Sequence, residues 1–185
     1  MAVHTDTVVS IPVDSVTLAG DLQVPPGADG LVVFAHGSGS SRLSPRNTFV
    51  AERLRERGLG TLLFDLLTDR EDRDRAARFD IGLLTERLLA ATRWLRARED
   101  TADVALGYFG SSTGAAAALR AAARRDDIAA VVSRGGRVDL ASESLSDVTA
   151  ATRFVVGGAD TDVLSLNRTA SEQLTGAAAT DLTVV

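Results

Sequence analysis

Gly110-Ser111-Ser112-Thr113-Gly114 sits between two runs of opposite character. The apolar Val104-Ala105-Leu106-Gly107-Tyr108-Phe109 leads in, and the alanine-rich stretch Ala115 to Ala123 leads out. Strand, sharp turn carrying a serine, then helix is the context in which a G-x-S-x-G pattern becomes a nucleophile elbow. In such a turn the middle residue, Ser112, is held at the tip with its hydroxyl exposed. Gly110 and Gly114 have a steric reason, because strand and helix backbones pass closely there and a side chain would collide. The small residues Ala115 to Ala118 let the helix lie against the sheet. The competing reading is a glycine-rich structural turn.

Composition narrows the function classes. A chain of 185 residues suits one domain with a sizeable core. A hydrophobic content of 45% and a charged content of 24% are ordinary for a globular protein. No apolar run approaches the roughly 18 residues needed to span a membrane, and Met1 to Asp6 lacks the features of a signal peptide. A cytoplasmic location is therefore expected, with no membrane partner. With no cysteine there is no disulfide, Cys–zinc site or thiol nucleophile. A net charge of -5 without a polybasic stretch argues against nucleic acid. All 20 basic residues are arginine, which excludes a lysine Schiff base. No cluster has metal-ligand spacing, so neither a metal nor any other cofactor is expected. A homodimer is left open.

Outward from the elbow, strands alternate with helices. Residues 5–11 and 16–24 read as an antiparallel hairpin about Val13-Asp14-Ser15, and residues 25–30 as a loop. Leu31 to Ala35 is a continuous apolar run, the mark of a strand buried on both faces. It ends in the polar loop His36-Gly37-Ser38-Gly39-Ser40-Ser41. Ser44 is placed to cap a helix, Pro45 suits its first position, Phe49, Val50 and Leu54 give it an apolar side, and Gly58 suits its end. Thr61 to Phe64 is another buried strand. The charged segment Asp69 to Arg75 reads as a solvated loop, with a substrate lid as the alternative. Ile81, Leu84, Leu88, Ala91 and Leu95 mark a helix, with Trp94 packing. Beyond the elbow, residues 128–132, 154–156 and 182–185 read as strands and Val163 to Leu174 as a helix stopped by Gly176. Residues 139–150 read as irregular or briefly helical. Strands alternating with long helices imply a mostly parallel α/β sheet with right-handed crossovers.

A serine hydroxyl needs a base, a carboxylate to orient that base, and donors for the oxyanion that forms. One donor is the backbone N–H of Thr113, next after the nucleophile. The loop after the earlier central strand offers the second, for which the N–H of Ser38 is chosen. Gly37 and Gly39 allow that loop to turn its amides inward. The acid is expected after Ser112 at a strand's C-terminal end. Asp160 fits best, with Asp162 and Asp139 as alternatives; a helix N-cap is the structural role that competes. His36, Gly37, Arg42 and Arg134 are candidate pocket residues, and Arg46 and Arg137 lie in loops that could also border the site. The base is unassigned. The chain has two histidines, His4 and His36, and both precede Ser112. A chain stopping on the strand 182–185 is expected to be incomplete at its C-terminus.

The chain also resembles a known family, the α/β-hydrolases of the dienelactone hydrolase type. The similarity rests on Phe34-Ala35-His36-Gly37-Ser38-Gly39-Ser40-Ser41-Arg42, Ser44-Pro45-Arg46-Asn47, Thr61 to Leu67, Phe79 to Leu84, Gly107 to Gly114, Val131 to Arg137 and Val156-Gly157-Gly158-Ala159-Asp160. The serine-containing branch, associated with phosphoribosyltransferase domains, is the closest in pattern. The resemblance runs from about Val8 to Val185 and implies an α/β-hydrolase fold, one domain over residues 1–185, with Ser112 as nucleophile, Asp160 as acid, and Ser38 and Thr113 at the oxyanion hole. It also implies a small ester or lactone as substrate and a phosphoribosyltransferase as partner. Dienelactone hydrolases proper use cysteine as nucleophile, and family members end in a Gly-x-x-His loop and a closing helix; this sequence has neither. Two other readings compete. One is a hydrolase-fold module used for binding. The other is a nucleotide-binding domain built on Gly37-Ser38-Gly39, against which stand Arg42 at the third glycine position and Pro45, which starts the helix too late.

Overall fold

The computed structural model describes residues 5–185, with side chains described from Val8 onward. Two antiparallel strands open the chain, β1 (Thr5–Val13) and β2 (Val16–Val24). They pair Val13 with Val16 around a tight turn in which Asp14 takes φ 48°. Pro12 is tolerated because β1 is an edge strand, where a missing N–H breaks no ladder. The rest alternates: β3 (Gly30–Ala35), α1 (Pro45–Arg55), β4 (Gly60–Phe64), α2 (Arg75–Arg78), α3 (Ile81–Arg96), β5 (Ala105–Ser111), α4 (Thr113–Ala122), β6 (Ile128–Arg134), β7 (Ala151–Val156), α5 (Thr161–Gln173) and β8 (Thr180–Val184).

The strands form one eight-stranded sheet in the order β1-β2-β4-β3-β5-β6-β7-β8. It is antiparallel from β1 to β4 and parallel from there on. The chain steps from β3 to β4 on one side, then returns to place β5 on the other side of β3. That reversal is a topological switch point, where the loops after adjacent strands diverge and leave a crevice. Register brings those loops level, with Ala35 opposite Gly110 and Ser111 opposite Arg134.

Alternation along the central strands builds a core on each face. Leu31, Val33, Leu62, Phe64, Leu106 and Tyr108 join the larger one, which α3, α4 and α5 cover. Phe34, Leu63 and Phe109 point the other way, against Ala51, Val50 and Leu54 of α1. The buried Tyr108 hydroxyl shares a 2.8 Å hydrogen bond with Thr92, and burial pushes its pKa up to about 12.

Several expectations change in detail. Ser44 precedes α1, but its hydroxyl makes no capping bond. Phe49 is 56% exposed, with the Arg53 guanidinium over its ring, because the buried stripe of α1 runs through Asn47 and Ala51 instead. The charged segment is mostly exposed, as a solvated loop would be, but has local order. Glu71 to Arg73 forms a 3-10 turn, pinned where Glu71 accepts from the Thr68 amide at 2.8 Å and from Arg87 at 2.7 Å. Residues Val138–Asp147 form a longer 3-10 segment. Strands β7 and β8 begin before their apolar residues do, since backbone pairing carries Ala151 and Thr180 into the sheet.

Candidate active site

The elbow has the geometry its glycines imply. Ser112 takes φ 50° and ψ -123°, a conformation that L-residues adopt only when their surroundings impose it. A Cβ on Gly110 would lie 2.5 Å from the Ala115 Cα, and one on Gly114 would lie 2.1 Å from the Ala35 carbonyl oxygen. Strand, helix and neighbouring loop therefore close on backbone at both glycines. The tip is strapped down as well. The Ser112 carbonyl accepts from the amides of Ala115 and Arg137, each at 3.1 Å. The result is a buried frame with one exposed side chain, the Ser112 hydroxymethyl.

A cavity of about 480 Å³ opens at that side chain. Gly37 and Ser38 wall it from the β3 loop, Arg46 from the start of α1, Arg134 and Gly135 from the β6 loop, and Val185 from beyond β8. Gly37 presses against the elbow, and a Cβ there would lie 3.0 Å from the Ser112 Cβ.

Thr113 opens α4, so its N–H has no intrahelical acceptor and is available beside Ser112. The Ser38 N–H is differently placed. It donates to the Thr113 hydroxyl at 2.9 Å, which holds the β3 loop against the elbow. Sequence reasoning has no access to this bond, because it depends on the rotamer of Thr113.

His36 is buried and both ring nitrogens are engaged. Nδ1 bonds the Gly37 carbonyl at 3.0 Å, and Nε2 accepts from the Leu66 N–H at 3.0 Å. The ring thus ties the loop after β3 to the loop after β4. Burial lowers its pKa, outweighing the bond to Gly37 and the charges of Asp65 and Asp72. It is absent from the Ser112 cavity and lines a separate one of about 240 Å³ with Arg42, Asp65 and Asp69. His36 and Arg42 are therefore corrected as pocket residues of Ser112. Arg42 is drawn away by Asp65, which accepts its amide at 2.8 Å, and by Asp21 at 3.6 Å. His4 lies outside the described residues.

Asp160 is exposed and caps α5, its carboxylate accepting from the Val163 N–H at 3.1 Å. It stands at the end of β7, on the same edge of the sheet as the elbow. Asp162 falls in the first turn of α5. Asp139 is held by a two-pronged pair with Arg137 at 3.0 and 2.8 Å, which lowers its pKa. Arg134 does line the cavity, half-buried, with its guanidinium 5.9 Å from the Phe109 ring and 3.5 Å from the Asn47 side-chain oxygen. Arg46, Ser40 and Ser44 join it from a loop and helix start that lie far from the elbow in sequence.

This architecture has solved counterparts. A dienelactone hydrolase from Anabaena variabilis is 51% identical and superposes with a TM-score of 0.95, over 98% of this chain and 86% of that one. The chain belongs to the dienelactone hydrolase family. A Mycobacterium tuberculosis protein provisionally named a phosphoribosyl transferase is 55% identical over 172 residues, 92% of this chain; the match spans 39% of that protein's length. Est1E from Butyrivibrio proteoclasticus, at 17% identity and a TM-score of 0.79, shares the fold. No protein-family profile matches the chain. Among the described residues, no helix is long and apolar enough to cross a membrane and no group of His, Asp or Glu has the arrangement of a metal site.

Proposed function

We propose that the chain is a serine hydrolase of small carboxylic esters or lactones, acting through an acyl-enzyme in the cytoplasm. One observation carries the reading: a dienelactone hydrolase fold presents Ser112 alone, at φ 50°, on an otherwise buried turn that opens into a cavity. Ser112 Oγ attacks the acyl carbonyl carbon while its proton passes to a base. The oxyanion takes the Thr113 N–H, and the Ser38 N–H after leaving the Thr113 hydroxyl. Collapse expels the alcohol, which takes the proton from the base. Water then attacks the acyl-enzyme and restores Ser112.

Asp160 is the carboxylate that orients the base. The base is an imidazole that follows Asp160 in chain order. No histidine follows Asp160 within residues 1–185. The 185-residue polypeptide is then a slow catalyst, since removing the base of a serine triad lowers kcat on the order of a millionfold. A phosphoribosyltransferase domain working beside it is part of the same reading, supported by the name and greater length of the mycobacterial relative.

The test is hydrolysis of 4-nitrophenyl butyrate by a chain that also contains the base, with and without Ser112→Ala. Turnover is expected to fall on the order of a millionfold in the variant, to what the oxyanion donors and binding alone supply. Undiminished turnover removes Ser112 from the chemistry. A binding module is the second reading. It draws on the Ser38 N–H already satisfied by Thr113 and on the committed nitrogens of His36. It is favoured if neither protein exceeds background.

A further inference from the structure

The Ser112 cavity has an unusual charge for this molecule. The whole chain carries a net charge of -5, yet no acidic side chain lines this cavity and its charged side chains are Arg46 and Arg134. Both are without an ion pair among the described residues. Buried and half-buried arginines elsewhere pair with carboxylates, Arg42 with Asp21 and Asp65, Arg87 with Glu71, Arg96 and Arg125 with Asp127, whereas others such as Arg93 and Arg120 have no ion pair among the described residues. Arg137, three residues from Arg134, has its own aspartate two positions on. Arg134 has instead the Phe109 ring and a 3.5 Å contact to the neutral Asn47 oxygen.

The two guanidiniums also act on each other. Burial, and then the charge of Arg46, depress the Arg134 pKa, although a guanidinium remains charged. Like charges held near each other beside the buried Phe109 ring represent an unfavourable arrangement. A bound anion would relieve it. Around them the cavity wall is rich in hydroxyls, from Ser38, Ser40, Ser44, Ser111 and Ser112. The Ser44 hydroxyl makes no capping bond and is free to donate.

We propose that Arg46 and Arg134 form a phosphate subsite, so that the ester or lactone cleaved at Ser112 carries a phosphate monoester group. This rests on the serine-hydrolase reading and names its substrate class. The choice of phosphate over carboxylate follows from charge and shape. A carboxylate carries one negative charge and has two oxygens in one plane, which satisfies one guanidinium and leaves the other uncompensated. A phosphate monoester is a dianion above about pH 6, and its three terminal oxygens can meet two guanidiniums and a hydroxyl at once.

Binding of non-hydrolysable probes tests this apart from catalysis. Propyl phosphate and butyrate share a propyl chain and differ in the anion. By titration calorimetry at pH 8, propyl phosphate is expected to bind at least tenfold more tightly than butyrate. Arg46→Gln and Arg134→Gln should each weaken it at least tenfold, whereas Arg42→Gln, outside the cavity, should leave it unchanged. Arg134→Lys, which keeps a charge in a gentler substitution, should recover part of the loss. Affinity should also fall below about pH 6, as the dianion takes up a proton. Equal or tighter binding of butyrate overturns the phosphate assignment, and so does binding indifferent to Arg46 and Arg134 or no binding of either probe. The serine-hydrolase reading fails separately, through Ser112→Ala.

Discussion

At the residue scale, space and dihedral angle act as separate constraints on the glycines. Gly114 has an ordinary φ but no room, because its Cβ would lie 2.1 Å from the Ala35 oxygen and 2.5 Å from the His36 oxygen. Gly39 has room but a φ of 71°. Gly114→Ala is therefore expected to cost about 4 kcal/mol or more, since backbone must move on two elements. Gly39→Ala should cost about 1 kcal/mol, the steric penalty of a left-handed L-residue. Urea denaturation of the two variants checks the ranking; similar losses would refute the close approach at Gly114. The G-x-S-x-G spacing exposes this requirement before any coordinates, because a strand-to-helix reversal over so few residues forces backbones together. The Ser38–Thr113 bond is invisible at that stage, since nothing in 75 residues of separation announces it.

At the element scale, Asp160 carries two roles that the chain alone leaves superimposed. As the N-cap of α5 it satisfies the Val163 N–H; as the first polar residue after β7 it is the carboxylate proposed for the triad. Asparagine caps helices about as well as aspartate but cannot hold an imidazolium by charge. Asp160→Asn should therefore keep thermal stability while lowering ester turnover, measured in a chain that also contains the base. Asp160→Ala should lose about 1 kcal/mol of stability as well. Turnover unchanged in Asp160→Asn would leave the residue as a cap only. Element reading from sequence was most faithful where apolar spacing is long, as in α3, and least where pairing alone makes a strand, as at Ala151 and Thr180. Phe49, which the sequence puts on the apolar side of α1 with Val50 and Leu54, is exposed in the fold. The stripe of α1 that meets the sheet is set by its neighbours Leu63 and Phe109, and it runs through Ala51.

At the scale of the whole molecule, His36 joins the loops that border the switch point. Its Nε2 accepts from Leu66 only while unprotonated. Burial lowers the folded pKa below the ordinary 6.5, so the unfolded chain binds a proton first as pH falls. The contribution of His36 to stability is complete above about pH 6.5 and is lost as pH drops through the folded value. Unfolding free energy from urea titrations should decline as pH falls below about 6.5, and His36→Asn should flatten that decline. An unchanged slope in the variant would assign the decline to other groups. Much of this protein follows from its sequence alone: the alternation of strands and helices, the hairpin, and the elbow with Ser112 at its tip. These depend on spacing and on residue volume, which are local quantities. Tertiary structure alone decided which side chains meet at Ser112. Arg46 and Arg134 arrive there while Arg42 is drawn off by Asp65, and His36 turns away to bond Leu66. Those outcomes rest on the registers of β3, β5 and β6 and on competition among charges distant in sequence, which no local pattern encodes.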